Sequence, residues 1–244
     1  MGSFNPSSEL RSYKSQEALV EESYKYLFQY RRYPEEMQQA VNLMRDYYDE
    51  SIAYIDKRFE DFIEKLNKRN IENTVVILSA DHGESFKHGY FTHGGPFLYE
   101  QVTHVPLIIK ETGQTTGKVV GDRVEQIDIP ATILDLANIP SHSWMEGRSF
   151  LTLLRGEKLP QRPAFSMNFE ENPSRGHQIT KGSIAVWEGD YKLINYLKRN
   201  EYLLFNMRRD PDELDNLIEK EPEIGNHLRN IIKIGLENAN RRIR

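Results

Sequence analysis

The chain has 244 residues, 38% of them hydrophobic and 28% charged, with 37 acidic and 32 basic side chains and a formal charge of −5. That balance is too apolar for a disordered chain and belongs to a globular protein, and its modest negative charge argues against a general nucleic-acid binder. The absence of cysteine excludes a disulfide framework and a thiolate metal site.

No apolar run approaches the roughly 20 residues that span a bilayer, and Met1-Gly-Ser-Phe4 has neither the basic nor the apolar region of a signal peptide. Localisation, redox compartment and oligomeric state are left open by these features.

Residues 1–14 are polar and turn-rich, and residues 15–31 read as a helix through Leu19, Tyr24, Leu27 and Phe28. Pro34 with Glu35 and Glu36 opens a second helix, because proline and acids suit a first turn. From there Met37, Val41, Met44, Tyr48, Ile52, Ile55, Phe59, Phe62, Ile63 and Leu66 recur at three- and four-residue steps to about Asn70.

The run 74–79 is continuously apolar and β-branched, as expected of a parallel strand buried on both faces, and 105–109 reads as a second strand of the same kind. Residues 113–121 form turns, and 128–137 a helix with Pro130 near its start. Beyond Pro140 the texture changes to four short strands at 163–169, 182–188, 191–197 and 201–207, then a closing helix over 221–244. The expected organisation is an α/β layer over 1–140 followed by a small α+β unit over 141–244.

Chemistry in α/β sheets gathers at the carboxyl ends of strands. Asp81-His82-Gly83 stands at the exit of the 74–79 strand, followed by Glu84, Lys87, His88 and His93 among glycines 89, 94 and 95. A carboxylate and an imidazole brought together by a glycine turn suit a divalent cation, whose open position can polarise a sulfuryl or phosphoryl oxygen.

The run Asp81-His-Gly-Glu84, His88-Gly89, His93-Gly94, Leu98-Tyr-Glu100 and Val105-Pro-Leu-Ile-Ile109 resembles the second-half signature of the sulfatase family, within the alkaline phosphatase superfamily. The likeness continues through Gln126 to Leu136, similar to the family's D-x-x-P-T-x-L-D-L pattern. Glu146 to Gly156 resembles its G-x-S-L-x-x-L-L-x-G element. Tyr191-Lys-Leu-Ile194, Leu204 to Glu213, and Asn216-Leu217 are similar to its closing elements. The resemblance covers about residues 45 to 230.

It implies an α/β fold: part of an alkaline-phosphatase-like α/β/α sandwich (1–140), then a small antiparallel four-stranded sheet with a helix (141–244). It implies Asp81 and His82 as the later metal-ligand pair, and His93 as the catalytic residue that contacts the substrate's anionic oxygens or protonates the leaving group. His88 reads equally as a substrate contact or a structural hydrogen bond. His104 reads as a packing residue, and Glu84 as a hydrogen-bonding partner of the metal ligands or a solvent-facing acid.

One divalent ion is implied, calcium by family habit, with manganese, magnesium or zinc compatible with imidazole. The family's nucleophile is a formylglycine made in a Cys/Ser-x-Pro-x-Arg motif. This chain has no such motif, its nearest miss being Asn172-Pro-Ser-Arg175.

The expectation is therefore the C-terminal half of a sulfuric-ester hydrolase, inactive by itself, whose partner is a small-molecule or glycan sulfate ester. Rival readings are a phosphonate monoester or phosphodiester hydrolase, a phosphoethanolamine-transferase-like enzyme, and a half that only binds. His177 and Arg175 read either as pocket groups or as a solvated loop.

Overall fold

The computed structural model describes residues 21, 33, 35–69, 73–88, 90–170 and 179–242. The expected helix over 15–31 and the loop carrying Arg175 and His177 lie outside the described residues. Cα packing divides the chain into two compact units, Met1–Thr115 and Thr116–Arg244. The texture change at residue 140 is not where packing divides the chain. Residues 116–140 pack with the second unit because Arg162 reaches both Glu125 and Asp128, at 2.8 and 2.5 Å.

Among its described residues the first unit contains helix α1 (Glu35–Lys68). The start of its apolar stripe, Met37, Ala40 and Val41, is buried with Tyr33 and covered by Met44 and Phe86. Farther along, Ile52, Ile55 and Phe62 are exposed, while Lys57–Glu60 and Arg58–Asp61 pairs line the polar side.

Strand β1 (Val76–Ser79) pairs with β4 (Leu107–Lys110) antiparallel, Val76 opposite Lys110 and Ser79 opposite Leu107. This corrects the expected parallel arrangement. Parallel neighbours need a crossover, usually a full helix. Here the connection holds only the hairpin β2 (Ser85–Lys87) and β3 (Tyr90–Thr92) and the one-turn helix α2 (Glu100–Thr103), so the chain returns alongside itself. Nor are the strands buried on both faces, since β1 is half-buried throughout and β4 alternates half-buried with exposed.

The second unit contains α3 (Asp128–Leu136), α4 (Leu151–Leu154), strands β5 (Ala164–Phe169), β6 (Gly182–Glu188), β7 (Tyr191–Tyr196) and β8 (Glu201–Asn206), and α5 (Pro222–Arg242). The four strands form an antiparallel meander in chain order. Ile184, Val186, Leu193 and Leu204 from one face close on Leu228 and Ile232 of α5. Burying each such side chain contributes about 1.5–3 kcal/mol, and this cluster is the core of the unit. Among the described residues no helix is long and apolar enough to cross a membrane.

Several of the motifs prove to be fasteners. Asp128, buried at the start of α3, accepts bonds from the backbone N–H groups of Glu125 (3.1 Å) and Arg148 (2.8 Å) as well as from Arg162. Ser149 Oγ donates to Asp135 at 2.5 Å, and the Phe150 N–H to Thr132 Oγ1 at 3.1 Å. A Cβ on Gly147 would stand 1.8 Å from the Ile127 carbonyl oxygen, so only glycine fits there. The helix 128–136 and the segment 147–150 are thus tied side by side.

In the same unit Lys192 and Glu213 form a wholly buried ion pair at 2.7 Å, with the ammonium 4.6 Å from the Trp187 ring centroid. Asn216 Oδ1 accepts from the N–H groups of Leu204 and Ile218, fastening the loop after β8.

Candidate active site

β1 ends at Ser79, whose hydroxyl donates to the Pro106 carbonyl, and Ala80 leads into Asp81 and His82. The turn beyond them depends on Gly83. Its N–H donates to the Val102 carbonyl at 2.8 Å, and a Cβ there would lie 2.0 Å from the Gln101 carbonyl oxygen. The backbone therefore passes against α2 at a distance only glycine allows, which bends the chain immediately after the two polar residues.

The His82 N–H donates to Asp81 Oδ1 at 3.0 Å, and His82 Nδ1 lies 2.9 Å from the Gly83 carbonyl. A carbonyl only accepts, so Nδ1 carries the proton and Nε2 presents a lone pair. That Nε2 stands 3.7 Å from Asp81 Oδ2. Two ligand atoms bound side by side to one ion at roughly 2.1–2.5 Å take a separation of about this size. The donor set, one carboxylate 89% exposed and one tautomer-fixed imidazole, fits a divalent cation. Among the described residues no third His, Asp or Glu side chain completes a cage with them.

The β2–β3 hairpin brings His93 to this pair. Ser85 stands opposite Thr92 in the ladder, so the next pair outward is Glu84 and His93. Glu84 Oε2 accepts from His93 Nδ1 at 2.6 Å, and the His93 and His82 rings stack at 4.0 Å with 23° between planes. Gln101 holds the hairpin base, its Oε1 accepting from the Phe86 N–H at 3.0 Å and from Ser85 Oγ at 3.2 Å. With Nδ1 committed to a carboxylate only 17% exposed, His93 has Nε2 for a ligand.

The remaining candidates lie elsewhere. His88 occupies the hairpin turn with φ 65°, buried and stacked on Tyr99 at 4.2 Å. It sits roughly 14 Å along the ribbon from His93, four residues at about 3.4 Å each. His104 is exposed and pairs with Glu100 at 3.5 Å. Glu84 engages His93 rather than the metal-ligand candidates, and the Gly83 carbonyl orients His82 instead.

Tyr48 of α1 lies beside the hairpin. Its ring lies 5.5 Å from that of Phe86, and burial, reinforced by the Glu84 charge, raises its hydroxyl pKa. Its only sequence signal was membership of the α1 stripe.

Residues 86–239 match the family profile described as N-sulphoglucosamine sulphohydrolase, C-terminal, and residues 20–139 match the profile described as Sulfatase. Arylsulfatase K of Gallus gallus is 30% identical over 203 residues, 80% of this chain and 37% of its own length. The chain thus spans little more than a third of the curated relatives it matches.

A solved structure described as a 2-O GAG sulfatase superposes with a TM-score of 0.72 at 23% identity, covering 92% of this chain and 47% of that one. A phosphonate monoester hydrolase from Silicibacter pomeroyi superposes with a TM-score of 0.69 at 22% identity, covering 86% and 43%.

Proposed function

The chain belongs to the sulfatase family, and on that premise we propose that it carries the later metal-ligand pair and the leaving-group histidine of a sulfuric-ester hydrolase. The reaction is assigned to a full-length protein of its relatives' size, because this chain covers 37% of such a relative. The observation that carries the reading is the convergence of Asp81 Oδ2, His82 Nε2 and the His93 ring at the exit of β1.

Asp81 and His82 would hold one divalent cation, which supplies polarisation of a sulfuryl oxygen and compensates charge on the departing oxygen. We assign calcium on the family resemblance, with manganese, magnesium and zinc as the alternatives an imidazole ligand admits. Further ligands, and a formylglycine nucleophile, would come from outside this chain, which has no Cys/Ser-x-Pro-x-Arg motif.

Within the chain, Glu84 holds the Nδ1 proton of His93 and so aims Nε2 outward. In its doubly protonated form, with the second proton on Nε2, His93 donates a hydrogen bond to the ester oxygen and passes it that proton as the sulfur–oxygen bond breaks, its Nδ1 proton staying bonded to Glu84. The Gly83 carbonyl fixes the His82 tautomer. The substrate class is a sulfate monoester, of a small molecule or a glycan.

One observation favours a second reading. His82 offers an imidazole rather than an amide, the variant that the family resemblance associates also with phosphonate and phosphodiester hydrolases. The deciding experiment is metal-dependent turnover of an aryl sulfate against an aryl phosphonate monoester by the full-length protein. Preference for the sulfate supports the first reading, and preference for the phosphonate replaces it.

A further inference from the structure

The hairpin that brings His93 to the Asp81–His82 pair has three residue pairs, Ser85–Thr92, Phe86–Phe91 and Lys87–Tyr90. A lone two-stranded hairpin is marginally stable in water, so its neighbours must hold it where it stands. Phe86 packs against the apolar cluster of Met37, Ala40 and Val41 on α1 and beside Tyr48, and Tyr99 stacks on His88 at the turn. Apolar packing is non-directional. It selects the face that turns inward and leaves the ribbon free to slide along its own length.

Gln101 supplies the directional contact. From α2 its half-buried side chain meets the edge of β2 as a neighbouring strand's carbonyl would. Its Oε1 accepts from the Phe86 N–H at 3.0 Å and from the hydroxyl of the wholly buried Ser85 at 3.2 Å. Hydrogen bonds weaken steeply when they stretch or bend. Two of them on one oxygen hold the ribbon to well within the roughly 3.4 Å that separates successive residues. Glu84 and His93 stand one pair beyond Ser85 and Thr92, so their place follows from that bond.

The same residue meets the other half of the site through its main chain. The Gln101 carbonyl walls the turn at Gly83, whose N–H donates to the Val102 carbonyl at 2.8 Å. Main-chain atoms of 101–102 thus fix Asp81 and His82, while the Gln101 side chain fixes the hairpin that carries His93. The two halves meet in the 4.0 Å stack of the His82 and His93 rings.

On the sulfuric-ester reading of the site, we propose that Gln101 is a positioning residue: without touching substrate, its amide oxygen sets the separation of His93 from the Asp81–His82 pair. A misplacement of about 1 Å costs on the order of 100-fold in rate.

The test compares full-length wild type with Gln101→Met, which keeps the length of the side chain and loses the acceptor, and with Gln101→Glu, which keeps the acceptor. In Gln101→Met, kcat on an aryl sulfate should fall by about tenfold or more. KM and calcium affinity should change by less than about threefold, because the Gly83 turn is held by main-chain atoms. Gln101→Glu should recover kcat to within about threefold of wild type. Independently of turnover, the nuclear Overhauser contact between the His82 and His93 rings should vanish in Gln101→Met and persist in Gln101→Glu. Should Gln101→Met not fold, Gln101→Ala takes its place. A ring contact or kcat left intact by Gln101→Met, a kcat not recovered by Gln101→Glu, or calcium affinity lost in step with kcat would each overturn the proposal. If wild type hydrolyses no sulfate ester, the sulfuric-ester reading fails, and the ring contact alone decides the role of Gln101.

Discussion

Glu84 and His93 face each other across the open end of a three-pair hairpin, with Oε2 2.6 Å from Nδ1. The carboxylate holds a proton on Nδ1 and turns Nε2, which would carry the transferable proton, outward. Glu84→Gln keeps the shape but replaces an anion with a neutral acceptor. In the full-length protein kcat on an aryl sulfate should fall by about 10- to 100-fold, the usual effect of removing such an orienting partner, with KM changing less than threefold. Steady-state kinetics of the two proteins would check this, and an unchanged kcat would remove Glu84 from the site.

Gly83 passes 2.0 Å, measured to an added Cβ, from the Gln101 carbonyl oxygen. Gly83→Ala must push β1's exit away from α2, at a cost of about 1–3 kcal/mol for such overpacking. Urea unfolding should show that loss of stability. Calcium affinity should fall with it, because the turn that aims Asp81 and His82 is the part displaced.

The buried Lys192–Glu213 pair makes a sharper energetic test. Lys192→Met alone strands a buried carboxylate and should cost about 3–5 kcal/mol, whereas replacing both residues with apolar ones should be close to neutral. A double-mutant cycle in urea reads the difference. Equal losses in the single and double variants would mean that the loss comes from Lys192's packing on Trp187 and not from a stranded carboxylate.

Glu125 provides a pH dependence with a definite sign. Burial raises its carboxyl pKa, against the opposing bonds from the Phe165 N–H and Arg162. A folded-state pKa above the unfolded one means the native unit binds the proton more tightly. Its contribution is then fully present below the unfolded value near 4.5 and is lost as pH rises through the folded value. Glu125→Gln mimics the protonated form, so it should gain stability relative to wild type as pH is raised from 4 to 7. Parallel curves across that range would contradict the sign.

Much of this was readable in the residues. The four strands of the second unit fall within a residue or so of their expected bounds, because each is a short β-rich run closed by Gly, Asn or Asp. Asp81-His82 at a strand exit was visible for the same reason. The antiparallel pairing of β1 with β4 was not, since an apolar run carries no direction and only the short intervening helix decides it. Glu84's attachment to His93 depends on the hairpin register, closed by His88 at φ 65°, which composition does not encode. Nor was it visible that 116–140 packs with the second unit, because Arg162 lies 34 residues beyond its partner Asp128.

The assignment of Asp81 and His82 as metal ligands is tested most directly by titrating calcium into chelator-treated full-length protein, wild type beside Asp81→Ala and His82→Ala. Wild type should show one saturable site, weakened at least tenfold in each variant. A site bound equally well by all three proteins would contradict the assignment.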